Sequence, residues 1–373
     1  MSAICHICSK RALEIFPVGS NRTRITSDCK PWSLRSDLAI CHSCHTVQTA
    51  VTTEWREQVS KIYQAYQVYH QGGGAEQAVF TDSGEPLSRS AQLVKKLASS
   101  LSLSESGTLL DIGCGNGSLL AAFGRINPGW DLAGAEFDNK HASDLAAIER
   151  FTKLHTGRIQ KIEDRFELIS LIHTLEHIEN PLPFLICVRK LLAKGGLVFI
   201  QVPNYRENPF ELMTYDHASH FDVSTLTKLL GQAGLFPSRI ATDWVTKEIS
   251  IVASPVETEY VDEKNEGWGA QLCLEWLEKL ITAARDIQAT SESFGIFGSS
   301  IAATWTASNL PRMPDFFVDE DPARIGKSHL GLKILHPDSA LDGSTVFVAL
   351  QPNTQKRILE KYSLKTRCSW IGT

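Results

Sequence analysis

The sequence predicts an α/β protein built from three parts, and three features carry this prediction. Residues 109–117 (LLDIGCGNG) form a short apolar run that ends in an acid and three alternating glycines, which predicts a strand turning sharply into a helix. Residues 293–300 (SFGIFGSS) repeat this plan, and two Cys-x-x-Cys pairs lie near the N-terminus. We therefore expect an N-terminal lobe over residues 1–75, a central parallel-sheet domain over residues 76–253 and a smaller α/β lobe over residues 254–373.

The composition argues against nucleic-acid and membrane partners. The net charge is −5 over 373 residues, with acids and bases interleaved, so no basic face is predicted. The N-terminal residues lack the regions of a secretory signal, and no apolar run reaches the roughly 18 residues that a membrane-spanning helix needs. We expect a cytoplasmic protein whose nine cysteines serve as metal ligands and free thiols.

The two cysteine pairs predict a structural zinc site in the N-terminal lobe. Four thiolates with this spacing suit one tetrahedral ion per chain, and the ion would stabilise a lobe too small to bury much apolar surface. Residues 41–45 also match the haem-attachment pattern Cys-x-x-Cys-His, but that chemistry needs export. Neither pair follows a strand that leads into a helix, which argues against a redox pair. The expected ligands are Cys5, Cys8, Cys41 and Cys44, with neighbouring histidines and Cys29 as open substitutes.

Helical spacing of apolar residues predicts a connecting helix over residues 53–70, which ends at three consecutive glycines. Most of its aromatic residues are expected in the core. Because the glycines lead the chain back toward the central domain, Tyr66 or Tyr69 is a candidate to face the ligand cleft.

The central domain alternates predicted strands and helices, which predicts a parallel sheet with right-handed crossovers. Glu136 ends the second predicted strand about 20 residues after the glycine turn, where an acid can accept hydrogen bonds from two ribose hydroxyls. The turn has Gly-x-Gly-x-Gly spacing rather than the Gly-x-Gly-x-x-Gly of dinucleotide dehydrogenases.

These motifs, together with residues 134–136 (GAE), 166–169 (FELI), 173–178 (HTLEHI) and 191–197 (LLAKGGL), resemble the class I S-adenosylmethionine-dependent methyltransferases in content and order. The resemblance implies a Rossmann-like domain with S-adenosylmethionine as cofactor. It implies that Glu136 binds the ribose, that the segment beginning at His173 lines the site, and that the methionine end is held by Asp111, Gly113, Gly115 and Gly117. Glu167 stands where the family usually has Asp.

Two histidine motifs invite other interpretations. Residues 173–177 spell His-x-x-Glu-His, an inverted zinc-protease motif, but that motif needs a helix and here it directly follows a predicted strand. We expect Glu176 and His177 to belong to the cofactor and substrate wall. Asp216 and His217 lie in a loop before a predicted helix, where a histidine beside an acid suits a proton acceptor near pH 7. A second metal held by the histidines of this loop is the alternative.

The order of zinc knuckles, methyltransferase domain and a second glycine-turn lobe resembles the sugar C-methyltransferases that act on nucleotide-linked keto sugars. Residues 215–217 match that family's acid-His pair, and residues 319–331 match its Asp, Pro, basic and Gly pattern. The resemblance implies a substrate lobe that uses Ser299, Ser300, Asp319, Arg324 and Lys327. Two departures lie in the substrate region: Ala302 replaces a lysine of the family, and residues 71–80 do not match its substrate segment.

The resulting hypothesis is methyl transfer to a carbon next to a keto group, after His217 removes its proton. Asp216 or Glu176 would orient His217, and His177 would lie near the enolate. The alternatives are O- or N-methylation of a sugar or polysaccharide precursor, and a zinc-ribbon adaptor that binds cofactor or RNA without turnover.

Overall fold

The computed structural model describes residues 4–16, 22–66, 76, 78–80, 86–257 and 269–373. Tyr69, the three glycines that follow it and most of the predicted linker before residue 269 lie outside the described residues. Among the helices of the described ranges, none has the length and apolar character that crossing a membrane requires.

The N-terminal lobe is a small antiparallel sheet followed by one helix. In the described chain its elements are β1 Leu13–Phe16, β2 Arg24–Ile25, β3 Pro31–Trp32, β4 Leu38–Cys41, β5 Val47–Thr49 and α1 Thr53–Gln64. Helix α1 begins where the Thr52 side chain accepts a hydrogen bond from the Trp55 N–H. It ends at Gln64, six residues before the end that the sequence predicted.

The central domain is a sheet with helices on both faces. Its described elements are β6 Ala78–Phe80, β7 Pro86–Ser88, α2 Arg89–Ser100, β8 Gly107–Ile112, α3 Ser118–Ile126, β9 Trp130–Glu136, α4 Ala142–Ala146, β10 Phe151–Thr156, β11 Phe166–Ile172, α5 Pro181–Lys190, β12 Leu192–Pro203, β13 Ser219–His220, α6 Val223–Gln232, β14 Phe236–Ala241 and β15 Glu248–Ser254, with 3₁₀ turns at Ile159–Lys161, Leu175–His177 and Pro209–Met213.

The main sheet of the described chain has seven strands in the order β10-β9-β8-β11-β12-β15-β14. Strands β8 to β12 are parallel, as predicted, whereas β15 runs antiparallel to both β12 and β14. The prediction of a parallel sheet is therefore wrong at the edge that contains β15. Because the carboxyl ends of β8, β9, β11 and β12 meet at one edge, the residues that follow these strands lie together.

The C-terminal lobe repeats the α/β plan, as the sequence predicted. Its described elements are α7 Ala270–Thr290, β16 Phe294–Phe297, α8 Ile301–Ser308, β17 Phe316–Val318, β18 Ser328–His329, β19 Leu332–Leu335, a 3₁₀ turn Pro337–Ser339, β20 Thr345–Phe347, α9 Pro352–Tyr362 and β21 Ser369–Ile371. The strand order is β18-β19-β17-β16-β20-β21, and all neighbours except β18 and β19 are parallel.

Aromatic contacts join the central domain to the C-terminal lobe. The ring of Phe210, in the segment after β12, lies 5.6 Å from the Trp276 ring of α7 and 5.9 Å from the Trp305 ring of α8, both edge to face. The segment that precedes the histidine loop is thereby fixed against the C-terminal lobe.

Candidate active site

The glycine turn after β8 has the backbone that its sequence predicts. Gly113, Gly115 and Gly117 all have positive φ angles, of 78°, 50° and 81°. A Cβ on Gly113 would lie 2.3 Å from the Thr174 Oγ1 atom. The turns after β8 and β11 can therefore pack closely only because residue 113 has no side chain. The turn after β8 leads directly into α3, whose first N–H groups are the kind that bind a ligand at a helix N-terminus.

Two acids flank this turn. Asp111, at the end of β8, is buried and accepts a hydrogen bond of 2.7 Å from the Ser170 hydroxyl. Burial raises the pKa of Asp111 to about 7, the Ser170 hydrogen bond opposes this rise and the nearby Glu136 carboxylate adds to it. The Glu136 carboxylate, at the end of β9, accepts the N–H groups of Gly115 at 2.7 Å and Phe137 at 3.1 Å. The predicted cofactor acids thus converge on one turn.

His173 begins a chain of partly buried ion pairs behind the site. It has a positive φ angle of 50°, its Nδ1 lies 3.1 Å from Glu176 Oε1, and its Nε2 lies 3.1 Å from Glu248 Oε1. Arg89 donates two hydrogen bonds to the Glu248 carboxylate. Burial and Arg89 lower the pKa of His173, but Glu248 and Glu176 outweigh them and leave it raised. His173 therefore contacts Glu176 of the predicted catalytic set as well as lying beside the cofactor turn.

The predicted catalytic histidines lie together. The rings of His177, at the end of the 3₁₀ turn after β11, and His217 are perpendicular, with centroids 4.6 Å apart. One ligand atom from each of Glu176, His177 and His217 lies within 4.8 Å of the other two. The side chain of His177 is 18% exposed and that of His217 is 4% exposed. Of this pair, His177 is the one that an acceptor molecule can reach.

Glu211, which the sequence did not single out, is the acid that pairs with His217. Its Oε1 atom contacts the Nδ1 of His217 and lies 3.2 Å from the Nδ1 of His220. Burial alone would lower the pKa of His217, but the Glu211 carboxylate raises it to about 9. The expectation that Asp216 or Glu176 orients His217 is therefore wrong with respect to the hydrogen-bond partner.

Asp216 has a different role from the one predicted. Its carboxylate accepts hydrogen bonds from the Ser27 N–H at 2.8 Å and the Ser27 hydroxyl at 2.6 Å, so it ties the N-terminal lobe to the histidine loop. Its backbone oxygen lies 3.2 Å from the Nδ1 of His177. Because that oxygen can only accept, a hydrogen bond here requires the proton on the Nδ1 of His177, and in this tautomer Nε2 is the basic nitrogen. Burial and the neighbouring His217 lower the pKa of His177.

Two tyrosines of the N-terminal lobe border the histidine pair. The Tyr63 hydroxyl lies 3.0 Å from the Nδ1 of His177, and the Tyr63 ring packs edge to face against Tyr66. Tyr66, one of the two predicted substrate tyrosines, is therefore one ring away from the pair. Tyr63 was missed because its helical spacing is equally typical of a core position.

The four predicted metal ligands are brought together from the two knuckles. The Sγ atoms of Cys5 and Cys44 are 3.6 Å apart, as are those of Cys8 and Cys41, and all four lie within 4.8 Å of one another. Zn–S bonds of about 2.3 Å in a tetrahedron put sulfur atoms about 3.8 Å apart, which these distances match closely. The residues present fit a zinc ion.

Three of the five predicted substrate residues of the C-terminal lobe form one cluster. The Ser299 hydroxyl donates to the Asp319 carboxylate at 2.5 Å, and Arg324 Nη1 donates to the Ser299 hydroxyl at 3.3 Å. Arg324 also lies 3.3 Å from Asp321, so its charge is balanced within the lobe. Ser300 precedes α8, and Lys327 is exposed beyond the cluster.

Two residues beyond the predictions also lie at the site, and each had a signal in the sequence. Glu211 is the one charged residue in the run Pro209–Met213, and a lone charge in an apolar run implies a buried partner. Phe137 follows Glu136 and is 88% exposed, which gives the acid of β9 a flat apolar neighbour.

Comparison with known proteins places the likeness in the central domain. Residues 87–236 match the family model described as a methyltransferase domain. The ubiquinone biosynthesis O-methyltransferase of Cereibacter sphaeroides (strain ATCC 17025 / ATH 2.4.3) is 26% identical over 150 residues, which cover 35% of this chain and 60% of that protein. The same-named protein of Pasteurella multocida is 29% identical over 111 residues, which cover 26% of this chain and 46% of that protein.

A solved methyltransferase of calicheamicin biosynthesis, in its SAH-bound form, is 19% identical with a TM-score of 0.37, and the alignment covers 45% of this chain and 54% of that one. The chain thus spans about half to three fifths of the relatives that it matches. Neither flanking lobe falls within residues 87–236.

Proposed function

Because residues 87–236 contain an S-adenosylmethionine-dependent methyltransferase domain, we propose that the protein transfers a methyl group from S-adenosylmethionine to a carbon of a nucleotide-linked keto sugar. The observation that carries the proposal is the His177–His217 pair. His177 follows β11, the strand beside β8, so the pair lies at the same sheet edge as the glycine turn after β8. A methyl donor and a proton acceptor at one edge are what alkylation of an acidic C–H bond needs.

The residues at the turn fit the cofactor. Glu136 would accept the ribose hydroxyls in place of the two backbone N–H groups that it now holds, and the buried Asp111 would attract the ammonium group of the methionine end. The missing side chain of Gly113 lets the turn pack against Thr174, which keeps the backbone of the turn in its observed conformation. When bound, the cofactor supplies an electrophilic methyl group on a sulfonium.

His177 is the proton acceptor in this proposal, and His217 is its cationic neighbour. The pKa of His177 is lowered and its Nε2 is basic, whereas the pKa of His217 lies at about 9. A neutral imidazole can take the proton from the carbon next to the keto group, and an imidazolium 4.6 Å away stabilises the enolate charge. This exchanges the roles that the sequence suggested for the two histidines.

The nucleotide part of the acceptor is assigned to the C-terminal lobe. Asp319 follows β17, the strand beside the glycine turn after β16, in the same relation that Glu136 has to the first turn. The Asp319 carboxylate is held by the Ser299 hydroxyl and the Asp321 N–H, so ribose hydroxyls could replace these donors. Ser300, Arg324 and Lys327 complete the proposed surface, and Tyr66 would face the sugar.

The cysteine cluster is assigned one structural zinc ion. The sulfur distances given above and the two-residue gaps support tetrahedral coordination. Elemental analysis should find one zinc per chain, and Cys41→Ser should lose it. Purified protein without zinc would contradict this assignment.

O-methylation is the second candidate, because the matched ubiquinone biosynthesis proteins are named as O-methyltransferases. The same histidine pair could remove a hydroxyl proton, and positioning alone supplies much of the rate for an oxygen nucleophile. The distinction lies in the acceptor atom and not in the cofactor site.

Product NMR separates the two candidates. The protein is incubated with S-adenosylmethionine carrying a ¹³C-methyl group and a panel of nucleotide-linked keto sugars, with matched non-keto sugars as controls. A new carbon-bound methyl signal with a keto sugar alone is the expected result. An oxygen-bound methyl would establish the second candidate, and adenosylhomocysteine binding without transfer to any acceptor would favour a non-catalytic adaptor.

A further inference from the structure

The cysteine cluster and the histidine loop share one sheet. Strand β13, within the loop of residues 214–222, pairs with β5 of the N-terminal lobe, so that Ser219 lies opposite Gln48 and His220 opposite Val47. Strand β5 begins three residues after Cys44. The described N-terminal sheet, in the order β1-β4-β5-β13, is therefore completed by the segment that follows His217.

Hydrogen bonds from β5, which follows the second cysteine pair, and from His6, within the first pair, hold this loop. The Thr49 hydroxyl donates to the backbone oxygen of His217 at 2.6 Å, and the Thr49 N–H donates to the Ala218 oxygen at 3.0 Å. His6, next to Cys5 in the first knuckle, has its Nε2 2.9 Å from the Ser219 hydroxyl. His217 is thus anchored through its backbone by β5, and the residue two positions on is anchored by a knuckle.

The contacts of Thr49 and His6 with the loop come from backbone next to the four cysteines. Strand β5 is three residues long, and a sheet of such short strands has little stability of its own in water. The Cys5 and Cys41 side chains are fully buried in the core that also holds Phe221, at the end of the loop. Without a metal ion, no bond would link the four thiols, and the N-terminal sheet would lose its main cross-link.

We propose that metal-bound knuckles hold the histidine loop in register through Thr49 and His6, so that methyl transfer requires the metal while cofactor binding does not. Thr49, His6 and Ser219 are positioning residues in this scheme. The proposal rests on the proposed zinc site and on the proposed function of the histidine pair. The predicted cofactor residues of β8, β9 and the glycine turn belong to the seven-stranded sheet and not to this one.

Thr49→Val tests the contact without disturbing the cysteines, since it replaces one hydroxyl by a methyl group. We expect kcat to fall about tenfold, with unchanged zinc content and unchanged adenosylhomocysteine affinity. Thr49→Ser, which keeps the hydroxyl, should restore kcat. The control is Thr152→Val in β10, where a strand threonine also donates to a backbone oxygen, at 2.9 Å to Leu132, but far from the loop.

Hydrogen exchange on the whole protein tests the metal itself. Removal of zinc with a chelator should increase exchange across residues 214–222 while exchange at the β8–α3 turn stays unchanged, and added zinc should reverse the effect. The ring NMR signals of His217 should shift in Thr49→Val and not in Thr152→Val. These readouts need no acceptor, so they remain valid if the assigned reaction is wrong.

The proposal is overturned if the metal-free protein keeps the protection of residues 214–222. It is also overturned if Thr49→Val turns over at the wild-type rate, or if zinc removal abolishes adenosylhomocysteine binding together with transfer. Failure of the proposed function has a different signature, because then the wild-type protein transfers no methyl group although the loop still responds to zinc.

Discussion

His177 and His217 face each other edge to face with ring centroids 4.6 Å apart, and Glu211 contacts only the second of them. This asymmetry separates their protonation: the pKa of His177 is lowered from its ordinary value of 6.5, whereas that of His217 is raised to about 9. At a pH between the two pKa values, His217 is protonated and His177 is neutral, so the pair carries one positive charge. One ring can then accept a proton while the other supplies positive charge.

The pH dependence of kcat should be bell-shaped. The rate rises as pH passes upward through the lowered pKa of His177, below 6.5, because the base must be neutral. It falls above a pH of about 9, where His217 loses the charge that stabilises the enolate. Steady-state assays across pH 5 to 10 measure both limbs. A rate that keeps rising through pH 9 would instead identify His217 as the base.

Glu211→Gln should move the alkaline limb to lower pH. Without the carboxylate, burial dominates and the pKa of His217 falls, so the ring is neutral at pH 7.5. We expect kcat at that pH to drop about 10- to 100-fold, with unchanged adenosylhomocysteine affinity. NMR titration of His217 gives the pKa directly, and the exposed Glu105→Gln is the control. An unmoved pKa would contradict the pairing.

The ion pair of Glu211 and His217 stabilises the folded protein only within a defined pH range. The pKa of His217 in the folded protein, about 9, exceeds the value of 6.5 for an unperturbed histidine. The stabilisation is therefore fully present below about pH 6.5 and is lost as pH rises through 9. Thermal melts of the wild type should show this loss, and melts of Glu211→Gln should not; parallel curves would argue against an ion pair.

Adenosylhomocysteine affinity should weaken as pH falls below 7. The pKa of Asp111 is raised to about 7 by burial, and the ammonium of the ligand prefers the ionised carboxylate. Below pH 7 binding must remove a proton first, so Kd should rise by up to about tenfold per pH unit. Calorimetry at pH 6, 7 and 8 measures this slope, and Asp111→Asn should bind weakly and without the slope. A flat wild-type profile would place the ammonium elsewhere.

Gly113→Ala should damage the cofactor turn beyond the strain of its backbone. The new Cβ would lie 2.3 Å from Thr174 Oγ1 at a φ angle of +78°. Gly157→Ala is the matched control, since its φ angle is +86° and its Cβ would meet no atom within 4 Å. Both variants should lose about 1–2 kcal/mol of stability from backbone strain. Only Gly113→Ala should also lose more than about tenfold in adenosylhomocysteine affinity.

Local patterns were enough to predict the first glycine turn, the clustering of the four cysteines and the second glycine turn. Each of these features is short in sequence, and its chemistry is carried by residues a few positions apart. The partner of His217 could not be predicted in this way, because Asp216 is its neighbour in sequence but Glu211 is its neighbour in space. The antiparallel β15 also escaped prediction, since its buried residues read the same in either strand direction. The boundaries of the three parts stay predictions.

The rate of ¹³C-methyl transfer by His177→Ala tests the assignment most directly, measured beside wild type with the acceptor that the product screen identifies. Loss of a general base typically costs about 100- to 10,000-fold in rate, while calorimetry with adenosylhomocysteine should give the wild-type Kd. Transfer at the wild-type rate in His177→Ala would contradict the role of this histidine pair.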